Sequence, residues 1–165
     1  MLHVIGDPTF TMPGVNVQAF AWSEAGDVAR LQKFDIGLYP LPMKRWVLGK
    51  SAVKALQYLA VGVPVVATPV GTTLRVVVDG ENGYFAETDD EWESRILALM
   101  RDPALRQRMG DTGRALVEQH YSVAGTAPLY RAVLERVFRG SGQVPSYPYP
   151  AGGDMVHLPV EPRPR

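Results

Sequence analysis

The stretch Gly49-Lys50-Ser51-Ala52-Val53-Lys54-Ala55-Leu56-Gln57-Tyr58-Leu59-Ala60-Val61-Gly62-Val63-Pro64-Val65-Val66 decides the fold. Ser51 to Val61 carries apolar residues at helical spacing, and Gly62 breaks the pattern. Val63-Pro64-Val65-Val66-Ala67-Thr68 is then a β-branched run of strand character. At about 100° per residue, Lys50, Lys54 and Gln57 fall within a narrow arc of one helix face. Val53, Leu56 and Ala60 cluster on another, so the spacing predicts one polar stripe and one buried stripe.

Upstream, Leu2-His3-Val4-Ile5 closed by Gly6-Asp7-Pro8 predicts a short strand, and the alternation from Val15 to Trp22 predicts a second. Ser23 is the expected N-cap of a helix through Val28, Leu31 and Phe34. Asp35-Ile36-Gly37-Leu38-Tyr39-Pro40 reads as the next strand, and Leu41 to Gly49, with Lys44, Arg45 and Trp46, as a loop. Downstream, Gly80-Glu81-Asn82-Gly83 is turn chemistry leading to a Tyr84-Phe85-Ala86 strand. Asp89 is the expected cap of a helix through Trp92, Ile96, Leu97 and Met100. Beyond Pro103 the chain reads as helical to about Arg139, broken near His120 to Ser122. Its expected packing positions are Leu105, Met109, Leu116, Val117, Leu129, Val133 and Val137. Strands alternating with helices at short spacing predict a mainly parallel, doubly wound α/β sheet, because parallel neighbours need crossover connections.

The chain has 165 residues, enough for one domain with a substantial core but not for two of full size. That domain is expected over residues 1–140. Prolines 145, 148, 150, 159, 162 and 164, mixed with Gly142, Gly152 and Gly153, mark 141–165 as an extended or disordered tail. The 17 Lys+Arg balance 17 Asp+Glu, so the chain is not a polybasic nucleic-acid binder, and an anionic ligand needs a local cluster. The absence of Cys removes disulfides, iron–sulfur clusters, Cys-type zinc sites and thiol nucleophiles, and suits the cytoplasm. Met1 to Pro8 has no signal-peptide pattern, and the longest apolar run, Val63 to Val70, is far short of the ~20 residues that cross a bilayer.

The expected helix start after Gly49 combines unpaired backbone N–H groups, the positive end of the helix dipole, a glycine and the Lys50 ammonium. Together these make a site of diphosphate type. It would lie at the carboxyl end of the Asp35 to Tyr39 strand, where open α/β sheets bind ligands. The same lysines read equally well as a solvated helix face, with Gly49 an ordinary loop residue. Gly49-Lys50-Ser51 is not a P-loop, which requires a further glycine five positions before Gly49, where Lys44 stands. His3, His120 and His157 are widely separated and read as structural or exposed. No His-rich, Asp-x-Asp or Glu-x-x-His cluster predicts a metal site. Trp22, Trp46 and Trp92 read as core or loop-anchoring aromatics. Lys44 and Arg45 read first as solvated and second as contacts for phosphate or an acidic membrane surface.

Several separated motifs occur together in order: Phe34-Asp35-Ile36-Gly37-Leu38-Tyr39-Pro40-Leu41, Trp46 with Gly49-Lys50, Lys54-Ala55-Leu56-Gln57-Tyr58-Leu59-Ala60, Gly62-Val63-Pro64-Val65-Val66-Ala67, and Pro69-Val70-Gly71. Asp79-Gly80-Glu81-Asn82-Gly83-Tyr84-Phe85-Ala86 and Asp102-Pro103 through Gly113-Arg114 extend the series. Over roughly Leu2 to Phe138 the chain resembles the group 1 (family 4, GT-B fold) glycosyltransferases, and only their C-terminal, nucleotide-sugar-binding, Rossmann-like half. The resemblance implies a retaining, metal-independent transferase needing no cofactor. Its donor would be a nucleotide-diphosphate sugar, and its partner an acceptor-binding N-terminal domain in cis or in trans. The chain would then be a fragment or a split subunit, inactive alone.

Carried over residue by residue, the family's Glu-seven-residues-Glu pattern falls on Gly49 and Gln57, so both carboxylates are absent. Lys50, Lys54, Gln57 and Tyr58 fit the Gly-Lys and Lys-x-Leu-Gln-Tyr pattern of some subgroups. The resemblance implies that Ser51, Ala52 and Val53 offer backbone N–H groups to the diphosphate, and that Lys50 supplies catalytic charge to the leaving group. Gln57 would bond the ribose hydroxyls through its amide, while Gly71 and Thr72 would neighbour the sugar. The family's early Arg and Lys pair has no clear counterpart between Asp7 and Val15, and Arg75 stands where a glutamate is common. The alternative, favoured by the missing carboxylates, is a non-catalytic interaction or regulatory module of the same fold. A small flavodoxin-like or receiver-like domain is a third.

Overall fold

The computed structural model describes residues 1–24 and 26–140; the expected 141–165 tail lies outside them. The chain divides into two compact units, Met1–Phe34 and the part beginning at Asp35.

In the first unit, β1 (Leu2–Gly6) pairs in parallel with β2 (Val17–Ala21), Leu2 opposite Val17 and Gly6 opposite Ala21. The His3 ring stands edge-on to Phe20 and Phe34, at 5.9 and 5.4 Å between centroids, a structural histidine as expected. Helix α1 spans Asp27–Leu31 with Gly26 as its N-cap. Ser23 does not cap it, because its hydroxyl accepts from the Arg30 guanidinium at 3.1 Å. Its own N–H donates to Asp27 at 3.2 Å, reversing the expected direction.

The second unit holds a parallel sheet in the order β3-β4-β5, formed by Gly37–Tyr39, Val65–Ala67 and Gly83–Phe85. Gly37 pairs with Val65 and Val65 with Gly83, so the short strands are in register along their length. Between β3 and β4 lie a 3-10 turn (Arg45–Gly49) and helix α2 (Val53–Ala60). Between β4 and β5 lies the short helix α3 (Thr73–Val76). Neither the 3-10 turn nor α3 was legible in the sequence. Helices α4 (Asp89–Arg101), α5 (Pro103–His120) and α6 (Val123–Phe138) follow. None of the helices described is long and apolar enough to cross a membrane.

The expected doubly wound arrangement is present. Because side chains alternate along a strand, Val65 and Ala67 of β4 enter one core with Ala52, Ala55, Leu59, Val76 and Val77. Val66 enters the opposite core with Ala86, Leu99 and Met109. Tyr39 and Phe85 pack on the first side, Leu38 and Tyr84 on the second. Full burial of β4 explains why Val65 and Val66 read as a continuous apolar run rather than an alternating one.

The buried stripe of α2 is Ala55 and Leu59, flanked by Leu56 and Tyr58, whereas Val53 and Ala60 are exposed. This corrects the expected phase. Val53, Ala55, Leu56, Leu59 and Ala60 nearly encircle the helix, so periodicity alone could not select the inward face. Helix α5 crosses closely enough that a Cβ at Gly110 would collide with the Gly62 carbonyl oxygen, which fixes a glycine there. Thr88, not Asp89, caps α4: its hydroxyl accepts from the Glu91 N–H at 3.3 Å while the Glu91 carboxylate accepts from the Thr88 N–H at 3.1 Å. Asp102 caps α5, with Pro103 at its start. Met109 is a core residue as expected, but Val137 is exposed, since α6 buries no residue fully.

Candidate functional site

Parallel pairing brings the carboxyl ends of β3, β4 and β5 to one edge, and the segments leaving β3 and β4 are bonded to each other there. The Thr68 N–H donates to the Tyr39 carbonyl at 3.3 Å, and the Thr68 hydroxyl accepts from the Leu41 N–H at 3.0 Å. The Thr73 hydroxyl donates to the Thr68 carbonyl at 2.8 Å and accepts from the Val70 N–H at 3.0 Å. Thr68 and Thr73 are both buried, so this edge is a fixed framework. Gly71 adopts φ +56, and a Cβ there would lie 3.3 Å from Leu48 Cα and 3.5 Å from the Val47 carbonyl oxygen. The turn after β4 therefore rests on the backbone of the 3-10 turn, where a side chain would be crowded as well as conformationally strained.

From that 3-10 turn the chain enters α2 through an unusual joint. Lys50 is extended (φ −75, ψ 136), and Ala52 adopts the left-handed conformation (φ 53, ψ 23), the one non-glycine residue with positive φ among those described. The Ala52 methyl is buried in the core with Ala55 and Leu59. Its carbonyl accepts the first helical bond, from the Leu56 N–H at 3.1 Å. This kink corrects the expectation that Lys50, Lys54 and Gln57 share one helix face, since α2 begins only at Val53. Lys54 and Gln57, three apart, stay together on the exposed face, whereas Lys50 approaches from outside the helix.

No side chain caps the N-terminus of α2. Ser51, Val53 and Lys54 are exposed there, beside the dipole's positive end. A Cβ at Gly49 would meet nothing within 4 Å, so packing leaves open space beside it. The Lys50 ammonium lies 5.1 Å from the centroid of the exposed Trp46 ring, a cation–π contact that holds the charge near the helix start. Burial pushes the Tyr39 phenol, at the end of β3, above its ordinary value, so it stays a neutral hydroxyl. Among the described residues no three His, Cys, Asp or Glu side chains gather as a metal-binding group.

The structure thus gathers Gly49, Lys50, Ser51, Ala52, Val53 and Gly71 around one strand edge, with Lys54 and Gln57 on the adjoining helix face. Sequence reasoning missed Thr68 and Thr73, although Thr68-Pro69-Val70-Gly71-Thr72-Thr73 is dense in the residue types that bond turn backbones. It also missed the Ala52 kink, for which an alanine carries no signal.

Residues 15–116 match the family model for glycosyl transferases group 1. The chain belongs to that family. It is 31% identical over 90 residues to the capsular polysaccharide biosynthesis glycosyltransferase CapM of Staphylococcus aureus, a match covering 53% of this chain and 23% of that protein. It is 36% identical over 62 residues to the uncharacterized glycosyltransferase MJ1178 of Methanocaldococcus jannaschii, covering 36% and 18%. It therefore spans less than a quarter of the length of these curated relatives. Among solved structures it is similar to the C-terminal domain of the group 1 family protein LpcC of Francisella tularensis. That likeness has a TM-score of 0.52 and 22% identity, over 64% of this chain and 55% of that one. Sucrose-phosphate synthase of Thermosynechococcus elongatus gives 0.62 and 20%, over 78% and 32%. Anabaena HepE, solved with UDP, gives 0.56 and 17%, over 72% and 32%. These likenesses establish the group 1 glycosyltransferase fold, a parallel α/β sheet wound on both faces.

Proposed function

We propose that this chain is the donor-binding half of a retaining, metal-independent GT-B glycosyltransferase of family 4, which takes a nucleotide-diphosphate sugar and works with an acceptor-binding N-terminal domain in cis or in trans. The observation that carries this reading is the exposed, uncapped start of α2 at the carboxyl edge of a parallel sheet, with Lys50 beside it.

The backbone N–H groups of Ser51, Ala52 and Val53 and the Lys50 ammonium hold the diphosphate, and Gln57 faces the ribose hydroxyls one turn along. As the bond from the anomeric carbon to the β-phosphate oxygen breaks, negative charge grows on the diphosphate, and Lys50 with the helix dipole stabilises it. The acceptor oxygen bonds to the anomeric carbon on the same face, and its proton passes to the departing phosphate oxygen. Gln57 gives a neutral hydrogen bond where a carboxylate would give a charge-assisted one, roughly twice as strong, so donor affinity is modest.

Calorimetric titration with UDP, GDP and ADP sugars tests this. Binding weakened about tenfold in Lys50→Ala, the equivalent of ~1.4 kcal/mol, is expected. Folded protein that binds no nucleotide sugar would sink it and favour the second reading, a non-catalytic module, for which Gly49 and Gln57 in place of two carboxylates already speak.

A further inference from the structure

The 3-10 turn Arg45–Gly49 is held by one buried side chain. Val47 is fully buried, its N–H donates to the Lys44 carbonyl at 2.9 Å, and the Lys50 N–H donates to the Val47 carbonyl at 2.9 Å. Gly71 braces the same backbone, since a Cβ there would lie 3.3 Å from Leu48 Cα. Trp46 takes no part in this anchoring. Its sequence reading as a core or loop-anchoring aromatic is corrected by an indole that stands 57% exposed.

Lys50, by contrast, has little to hold it. It is exposed, extended and outside α2, and its ammonium is a point charge at the end of a flexible four-carbon stem. A carboxylate is the usual partner for such a charge, yet the sequence has no Asp or Glu between Asp35 and Asp79. Among the described residues no carboxylate pairs with Lys50. Its ammonium lies instead 5.1 Å from the centroid of the Trp46 ring, within the ~6 Å over which a ring face attracts a cation.

The two kinds of partner leave the lysine in different states. A carboxylate would neutralise the ammonium and compete with phosphate for its N–H groups. A ring attracts the cation through its quadrupole, leaves the full charge in place, and leaves N–H donors on the far side unused. A ring enclosed in the core could not do this, which gives the exposure of Trp46 a reason.

We propose that Trp46 is a positioning residue for Lys50: its indole holds the ammonium, still fully charged, at the start of α2 for the donor diphosphate, without touching the donor itself. This rests on the donor reading given above and states how that site keeps its charge in place.

Two measurements on the full chain test it. In the free protein, the indole ring current should shift the Lys50 ε-methylene protons upfield in NMR spectra, and Trp46→Leu should abolish the shift. An unshifted ε-methylene in the wild type overturns the proposal whether or not a donor binds. Calorimetric titration with UDP, GDP and ADP then supplies a double-mutant cycle. Trp46→Leu should weaken binding about threefold, and Trp46→Phe, which keeps a ring face, should recover most of that loss. In the Lys50→Ala background Trp46→Leu should change nothing further. Urea unfolding of Trp46→Leu should match the wild type, because the side chain is exposed. Equal weakening in both backgrounds overturns the proposal by making Trp46 a direct donor contact. Tighter binding in Trp46→Leu overturns it too, since the ring would then be holding Lys50 back. Wild type that binds no nucleotide defeats the donor reading and this proposal together, whereas binding without coupling between Trp46 and Lys50 defeats this proposal alone.

Discussion

The Leu41 N–H donates to the Thr68 hydroxyl at 3.0 Å, joining the segment that leaves β3 to the one that leaves β4. Thr68 is 5% exposed, so its hydroxyl is largely shielded from solvent. In Thr68→Val the shape is kept and the acceptor lost, leaving the Leu41 N–H without its partner. A loss of about 1–3 kcal/mol in urea unfolding is expected. Donor affinity should fall as well, because the strand edge loses a tie; unchanged stability would show that this edge is not held as described.

Two glycines should answer a methyl group in opposite ways. At Gly110 it would strike the Gly62 carbonyl oxygen, and Gly110→Ala should destabilise by about 1–3 kcal/mol as α5 is pushed off α2. At Gly49 there is open space, and Gly49→Ala should stay within ~0.5 kcal/mol. If donor titration then shows weaker binding for Gly49→Ala at unchanged stability, the open space is used by the ligand.

Asn82 is fully buried. Its carboxamide accepts from the Val78 N–H at 2.9 Å and donates to the Val76 carbonyl at 3.0 Å, closing the turn ahead of β5. Asn82→Leu removes both bonds and strands two backbone groups. A destabilisation of about 2–4 kcal/mol in guanidinium unfolding is expected. A value below ~1 kcal/mol would mean the turn holds itself.

The Glu91 carboxylate accepts from the Glu87 and Thr88 N–H groups at 2.8 and 3.1 Å, and these bonds hold its pKa below the ordinary glutamate value. A carboxyl whose folded pKa is lowered stabilises the protein above its unfolded pKa of about 4.3, and that contribution is lost as pH falls through the lower folded value. Wild type should therefore melt above Glu91→Gln at pH 7, with the gap narrowing as the pH falls below the ordinary glutamate range. A gap that does not change with pH would assign the effect to packing.

Much of the fold could be read from the chain because its strands are bounded by turn residues. Gly62 and Gly83 stand at the borders of β4 and β5, and the β-branched run at Val65 and Val66 has no competing helical period. What stayed hidden has physical causes. Helix α3 spans only Thr73–Val76, too short to show a period. The phase of α2 was lost because apolar residues almost surround it, and the left-handed Ala52, whose side chain belongs to the buried core, carries no local signal in an alanine. At the candidate site, Lys50, Ser51 and Gly71 were legible as chemistry. The threonine framework that positions them was not, since its bonds join residues as far apart as Leu41 and Thr68.

Strand β4 has three residues, and consecutive side chains of it belong to opposite cores. The two apolar clusters are therefore parted by little more than the thickness of one peptide chain, and neither can dissolve while the other keeps its wall. The unit beginning at Asp35 should accordingly lose both clusters in a single calorimetric transition, with van't Hoff and calorimetric enthalpies equal across it. Damage on the α4 side would then be felt as fully at the start of α2 as damage beside it.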